Sequence, residues 1–168
     1  MIQIIYGGGK GKTTAAVGSA VRAAGAGMRV AFVQFFKDGT SSETGSLEKI
    51  GVSCIVPDEG YGLFEQLTAE KKTRLYNSYN RVLTCLTEKA GDYDMIILDE
   101  GLDACNMQLI NIDLIDRLCF LCDNEKELIF TGHTENEFLS RKADYISEVV
   151  SVRHPYERGI KARKGIEF

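Results

Sequence analysis

Short apolar runs alternate with stretches of helical periodicity along most of this chain. Residues 2–6 form a nearly continuous apolar strand, and glycines follow at once. A run of small residues from Thr13 to Ala24 then reads as a helix able to pack closely on a sheet, ending at Gly25 to Gly27. Further strands are predicted at residues 29–35, 52–56, 93–99, 127–131 and 147–152. Residues 69–90 are a long helix, because Leu75, Tyr79, Val82 and Leu86 recur at steps of 4, 3 and 4 along one face. Asn111 is placed to cap a helix that buries Ile115, Leu118, Cys119 and Cys122. Thr134-Glu135-Asn136-Glu137 fits a capping box, so another helix should begin just after His133.

Residues 37–46 are polar and glycine-containing, a loop. Residues 58–66 hold two glycines and two aromatics, an ordered loop with something to contact. His154 to Gly159 is read as a turn, with a returning C-terminal strand expected after it. Strands alternating with helices imply an α/β fold, a mainly parallel sheet with helices on both faces. With 168 residues and no internal repeat or linker, the chain reads as one domain spanning 1–168.

Charge and composition narrow the partners. A net charge of −4 gives no global field for nucleic acid, and no apolar stretch is long enough to span a bilayer. The N-terminus enters a strand directly, without a secretion signal, so the expected location is the cytoplasm. Arg153 to Lys164 holds five Lys or Arg residues, read as a solvated surface. The five cysteines are odd in number; Cys119 and Cys122 have CxxC spacing inside an apolar helical run. They are expected to be reduced and buried small hydrophobes, not a metal site or a disulfide framework.

The strongest chemistry lies in Gly7-Gly8-Gly9-Lys10-Gly11-Lys12-Thr13-Thr14, between a predicted strand and a predicted helix. Consecutive glycines let the backbone turn tightly and aim N–H groups at one anion, and the helix start adds its positive end. Lys12 supplies a charge for phosphate oxygens and Thr13 a hydroxyl for Mg²⁺. The usual spacing would put the first glycine at Tyr6, so this loop is one residue short. Met95 to Glu100 is an apolar strand ending in Asp99 and Glu100, the acidic pair that in a P-loop protein holds the metal or its water shell. Spacing leaves open which of the two does so. The fold expected is therefore a P-loop, RecA-like sheet binding ATP.

Beyond these motifs the chain resembles the bacterial ATP:corrinoid adenosyltransferases over nearly its whole length. The resemblance rests on the short loop with Ala15-Ala16-Val17-Gly18, on Val33 to Lys37, on Leu98-Asp99-Glu100, and on Thr131-Gly132. Ala143 to Glu148, Val152 to Tyr156 and Gly159 to Phe168 complete it. It implies attack of a cob(I) corrinoid on the 5′-carbon of ATP, with inorganic triphosphate expelled. It further implies a nucleotide lying in the loop in the reverse of the ordinary sense, a homodimer, and a flavodoxin-like or flavoprotein reductant.

In better-known members of that family an aromatic loop displaces the lower cobalt ligand. The matching stretch is Gly60 to Glu65, where Leu63 and Glu65 fall at the aromatic positions and no tryptophan exists in the chain; Tyr61 or Phe64 either substitutes or is a plain hydrophobic anchor of the loop. The chain starts at the first strand, without the N-terminal extension of some members, so a looser corrinoid site is expected. His133 stands where relatives often carry arginine, either a phosphate or ribose contact or a plain helix-start residue. The competing readings are another P-loop ATPase or kinase, and a non-catalytic nucleotide- or corrinoid-binding module.

Overall fold

The computed structural model describes residues 1–37, 41–60, 67–122 and 125–166, apart from the side chains of residues 156 and 157. In chain order the elements are β1 (Ile2–Tyr6), α1 (Lys12–Gly25), β2 (Val30–Gln34), α2 (Thr44–Lys49), β3 (Ser53–Ile55) and α3 (Ala69–Glu88). They continue with β4 (Met95–Asp99), α4 (Gly101–Asn106), α5 (Ile112–Leu121), β5 (Glu127–Gly132), α6 (Glu137–Ser140) and β6 (Tyr145–Glu148). Short 3₁₀ turns lie at Ala90–Asp92 and Pro155–Arg158.

Six strands form one sheet in the order β3-β2-β4-β5-β1-β6, and every pairing is parallel. The α/β expectation therefore holds, with helices on both faces. Alternation along each strand sorts side chains between two cores. Phe32, Ile97 and Ile129 face Ala16, Ala20 and Ala23 of α1. Val33, Ile96, Leu98 and Phe130 face the other way, onto α3, α4 and α5. The alanine stripe of α1 leaves room for these large strand residues, which is how the helix starting at Lys12 comes to sit close over the sheet centre.

On α3 the buried face is Leu75, Tyr79, Leu83 and Leu86, with Val82 only partly covered. The Tyr79 hydroxyl, fully buried, accepts the Phe36 N–H at 2.9 Å, and burial pushes its pKa up to about 12. This holds the chain just after β2, where Phe36 has φ 57°.

Four sequence-based boundaries need correction. Part of the loop at 37–46 is the start of α2, and α4 was not foreseen. The sixth strand pairs at Tyr145–Glu148, not 147–152, because Tyr145 to Glu148 is the stretch in register with Gln3 to Tyr6, and no strand follows it among the described residues. The Thr134 capping box does not form: Asn136 caps α6, accepting from Leu139 N–H at 3.1 Å. Thr134 and Glu135 are instead tied by their carbonyls to Asn106 Nδ2 at 3.2 and 3.4 Å.

Candidate functional site

Parallel strands bring their C-terminal ends to one edge of the sheet, and the predicted loop lies there, after β1. Gly7 and Gly11 both have φ 123°, a conformation that disfavours any side chain. The Gly7 N–H donates to Gly132 O at 3.2 Å and the Gly9 N–H to Val149 O at 2.8 Å. A Cβ on Gly7 or Gly9 would lie 2.5 or 2.7 Å from that same Val149 oxygen. So the loop glycines serve two ends. Gly7 and Gly9 stitch the loop to Gly132 at the end of β5 and to Val149 just after β6, while Gly8 and Lys10 stay exposed.

Helix α1 begins at Lys12 after Gly11 at its N-cap, with no side-chain cap and no acidic residue in its first turn, which leaves its positive end open to an anion. Lys12 is 8% exposed and folds back so that its Nζ donates to Gly9 O at 3.1 Å. The loop lysine therefore lies inside the curve of its own loop.

Asp99, wholly buried at the end of β4, is the hub. Its Oδ1 accepts from the Thr13 hydroxyl at 2.9 Å and the Thr131 hydroxyl at 2.7 Å, and its Oδ2 from Gln34 Nε2 at 3.4 Å. Burial raises its pKa, against the hydrogen bonds from Thr131 and Thr13 and the charge of Lys37. Gln34 Oε1 is buried with no partner among the described residues.

Glu100 turns away from this hub. Its backbone is left-handed, φ 59°, and its N–H donates to Thr131 Oγ1 at 2.9 Å. Gly101 makes the turn possible, because a Cβ there would meet Leu98 Cβ at 2.9 Å. The Glu100 carboxylate reaches His133 Nδ1 at 3.3 Å, beside Asp103 Oδ2 at 3.1 Å from the same nitrogen. Donating its ring N–H to Asp103, and next to Glu100, pushes the His133 pKa up to about 10. Burial raises Glu100; it also pushes Asp103 up, but there the hydrogen bonds from His133 and Glu100 win and Asp103 stays low. Ligand atoms of Glu100, Asp103 and His133 lie within 4.8 Å of one another.

The structure thus brings Thr13 onto Asp99 and places Glu100 in a separate acid–histidine group. Sequence reading missed Asp103, whose only signal is an acid one helical turn after Glu100. It also missed the service of Gln34 and Thr131 to Asp99, which depends on pairing across the sheet.

Next to the loop, on the Thr14 side, is a cavity of about 310 Å³ lined by Thr13, Thr14, Val17, Lys37, Ser42, Glu43, Gly165 and Ile166.

The model of the family described as ATP:corrinoid adenosyltransferase BtuR/CobO/CobP matches residues 1–168. The chain belongs to this family. It is 30% identical to the corrinoid adenosyltransferase of Escherichia coli strain K12, over all of this chain and 85% of that one. It is likewise 30% identical to the corrinoid adenosyltransferase CobA of Salmonella typhimurium, over the same shares of each. Among solved structures, domain III of the Thermotoga maritima replication initiation protein DnaA is similar at a TM-score of 0.41 and 16% identity. That match covers 88% of this chain and 54% of the other, a likeness too distant to inform the site.

As a member of the corrinoid adenosyltransferase family the protein is a transferase. The expected corrinoid-side residues Tyr61, Leu63 and Phe64 lie outside the described residues. The chain leading to them is pinned to α3: Ser78 Oγ donates to Asp58 at 2.6 Å, and Arg81 pairs with Asp58 at 3.0 Å. All five cysteines are free. Cys119 and Cys122 are buried as expected, but Cys54 and Cys105 are half-buried and Cys85 is exposed, on the outer face of α3. No described helix is long and apolar enough to cross a membrane.

Proposed function

We propose that this adenosyltransferase moves the 5′-deoxyadenosyl group of ATP to the cobalt of a cob(I) corrinoid and releases inorganic triphosphate. Cobalt(I) supplies the electron pair for the new carbon–cobalt bond. The bond from the 5′-carbon to its oxygen breaks, and that oxygen leaves on the triphosphate. Reduced cobalt is already a strong nucleophile, so the chain has no base to provide. Its tasks are to hold the nucleotide with the 5′-carbon in line with cobalt, and to stabilise charge on the departing oxygen.

The observation that carries this reading, within the family, is the joined arrangement of loop, Lys12, Thr13 and Asp99. Lys12 lies inside the loop at 3.1 Å from Gly9 O, where a phosphate can replace that carbonyl as its partner. The open start of α1 adds N–H groups that need no rearrangement.

The residues also fit a magnesium ion. Thr13 and Asp99 offer hard oxygens 2.9 Å apart, and the buried Asp99 carboxylate touches only hydroxyls and an amide among the described residues. Thr13 and Asp99 would hold the ion, with Glu100 adjoining. Bound there, it would neutralise charge on the triphosphate.

The test is to mix protein, ATP, Mg²⁺ and chemically reduced cob(I)alamin, and to look for the light-sensitive spectrum of adenosylcobalamin with one triphosphate released. Orthophosphate release would point to an ATPase, transfer to an acceptor to a kinase, and binding without turnover to a carrier module. Activity with cob(I) but not with cob(II) and a reductant would locate a defect in the 60–65 loop.

A further inference from the structure

Two hydroxyls meet on one oxygen of Asp99, and only one of them belongs to the glycine-rich loop. Strand β5 lies between β4 and β1 in the sheet, so its end stands between the acid and the loop. The last two residues of β5 face opposite tasks. Thr131 is one step past the paired Leu98 and Phe130, beside Asp99, and Gly132 pairs with Tyr6. On the loop side the Gly132 carbonyl accepts the Gly7 N–H at 3.2 Å. On the acid side the Thr131 hydroxyl donates to Asp99 Oδ1 at 2.7 Å.

That hydroxyl is wholly buried and has one proton to give. Its oxygen accepts the Glu100 N–H at 2.9 Å, which leaves the proton for Asp99. The Thr13 hydroxyl adds a second bond to the same Oδ1 at 2.9 Å, so this oxygen is fixed by two donors. Asp99 Oδ2 has only the Gln34 amide at 3.4 Å among the described residues, a long contact that leaves it able to serve a ligand. By taking the Glu100 N–H, Thr131 also holds residue 100 in its left-handed turn, φ 59°, from which the Glu100 carboxylate reaches His133 at 3.3 Å. One buried hydroxyl thus turns two adjacent acids to different sides.

We propose that Thr131 is the positioning residue that makes Asp99, and not Glu100, the carboxylate offered together with Thr13 to a divalent cation. The inference rests on the magnesium reading given above. Thr131 acts through Asp99: it clamps Oδ1 and leaves Oδ2 as the oxygen that serves the ion. A valine at this position keeps the shape of the side chain and removes both hydrogen bonds. The carboxylate is then free to turn, and the Glu100 N–H loses its acceptor.

The experiment is calorimetric ATP binding without corrinoid, with Mg²⁺ and again in chelator, on the wild type and on Thr131→Val, Thr131→Ala and Thr131→Ser. The ratio of the two affinities reads the gain due to the ion. In the wild type ATP should bind more tightly with Mg²⁺. Thr131→Val and Thr131→Ala should lose about tenfold or more of that gain, the usual cost of removing a group that orients a metal ligand. Their ATP affinity in chelator should stay within about twofold of wild type, which also shows that the fold is intact. Thr131→Ser, which keeps the hydroxyl, should recover most of the gain. A full gain in the valine and alanine variants, an equal loss with and without Mg²⁺, or a serine variant no better than valine would overturn the proposal. A wild type that gains nothing from Mg²⁺ would overturn it together with the magnesium reading. Adenosyl transfer is measured separately, so a failure of the chemistry with this binding pattern intact would remove the proposed reaction and leave the role of Thr131 standing.

Discussion

Replacing Gly9 with alanine puts a methyl carbon 2.7 Å from Val149 O and 2.9 Å from both Val149 Cγ1 and Val150 C. Two of those three atoms are backbone, so relief must come from moving the loop or the end of β6. Either motion strains or breaks the 2.8 Å bond from Gly9 N–H to Val149 O. A buried backbone bond lost with its partner left unsatisfied costs about 1–3 kcal/mol. At about 2 kcal/mol, a domain of this size should lose roughly 4–8 °C of melting temperature. Gly8, the neighbouring residue, is exposed, has an ordinary φ, and a Cβ there meets nothing within 4 Å. Gly8→Ala should stay within about 0.5 kcal/mol of wild type.

The assay is thermal unfolding of the ligand-free protein for both variants, at matched concentration and pH. Two substitutions one position apart, identical in chemistry, should then differ by several degrees. If Gly9→Ala melts with the wild type, or if both variants fall together, the loop is not held by β6 and the division of labour among its glycines is wrong. Nucleotide affinity should follow the Gly9 result, because a displaced loop carries Lys12 with it.

Lys12→Ala should lower the adenosyl transfer rate by about 10²-fold or more, since it removes the cation at the departing triphosphate; a near-normal rate in the spectroscopic assay would refute that role. His133 gains proton affinity on folding, its pKa moving from 6.5 to about 10. Its stabilising contribution is therefore complete below the lower value and lost as pH rises through the higher. The melting-temperature gap between wild type and His133→Ala should shrink over that window, and a gap that widened would contradict the pairing. Under native conditions Cys85 should alkylate first. Cys119 and Cys122, buried and with pKa values raised to about 12 and about 11, should be protected, as peptide mass analysis would show. Burial raises the Asp99 pKa, so the ligand-free fold loses stability as pH climbs above the ordinary carboxylate value. Asp99→Asn in chelator at neutral pH should then melt no lower than wild type while losing turnover, and a fall of several degrees would show that the charged form is favoured in the empty protein.

Local features were legible in the sequence wherever one segment decides the outcome. The start of α1, read at Thr13 and found one residue earlier at Lys12, the Asn111 cap and the acid at the end of β4 each follow from a few adjacent residues. The capping box at Thr134 failed because a side chain 28 residues earlier, Asn106, takes the carbonyl of Thr134 and leaves Asn136 as the cap. The same limit applies to His133. Its neighbours in sequence suggest a helix start, whereas its partners Glu100 and Asp103 come from the turn after β4. The parting of Asp99 and Glu100 was hidden for a backbone reason: a left-handed residue at 100 sends adjacent acids to different partners.

Parallel pairing explains why so much of the site is invisible piecemeal. Gln34 and Asp99 are register partners at the ends of β2 and β4, and Tyr6 pairs with Gly132 and with Glu148 at the ends of β5 and β6. Each of these ends hands a group to its neighbour: Gln34 and Thr131 to Asp99, Gly132 O and Val149 O to the loop. Asp99 is a buried carboxylate, unfavourable alone, and is kept in place by donors from three other segments. The loop likewise owes its shape to β6, an edge strand exposed along its whole length and near the far end of the chain. A substitution that loosens β6 at that edge should therefore shift the loop through Gly7 and Gly9 without touching Lys12 or Thr13.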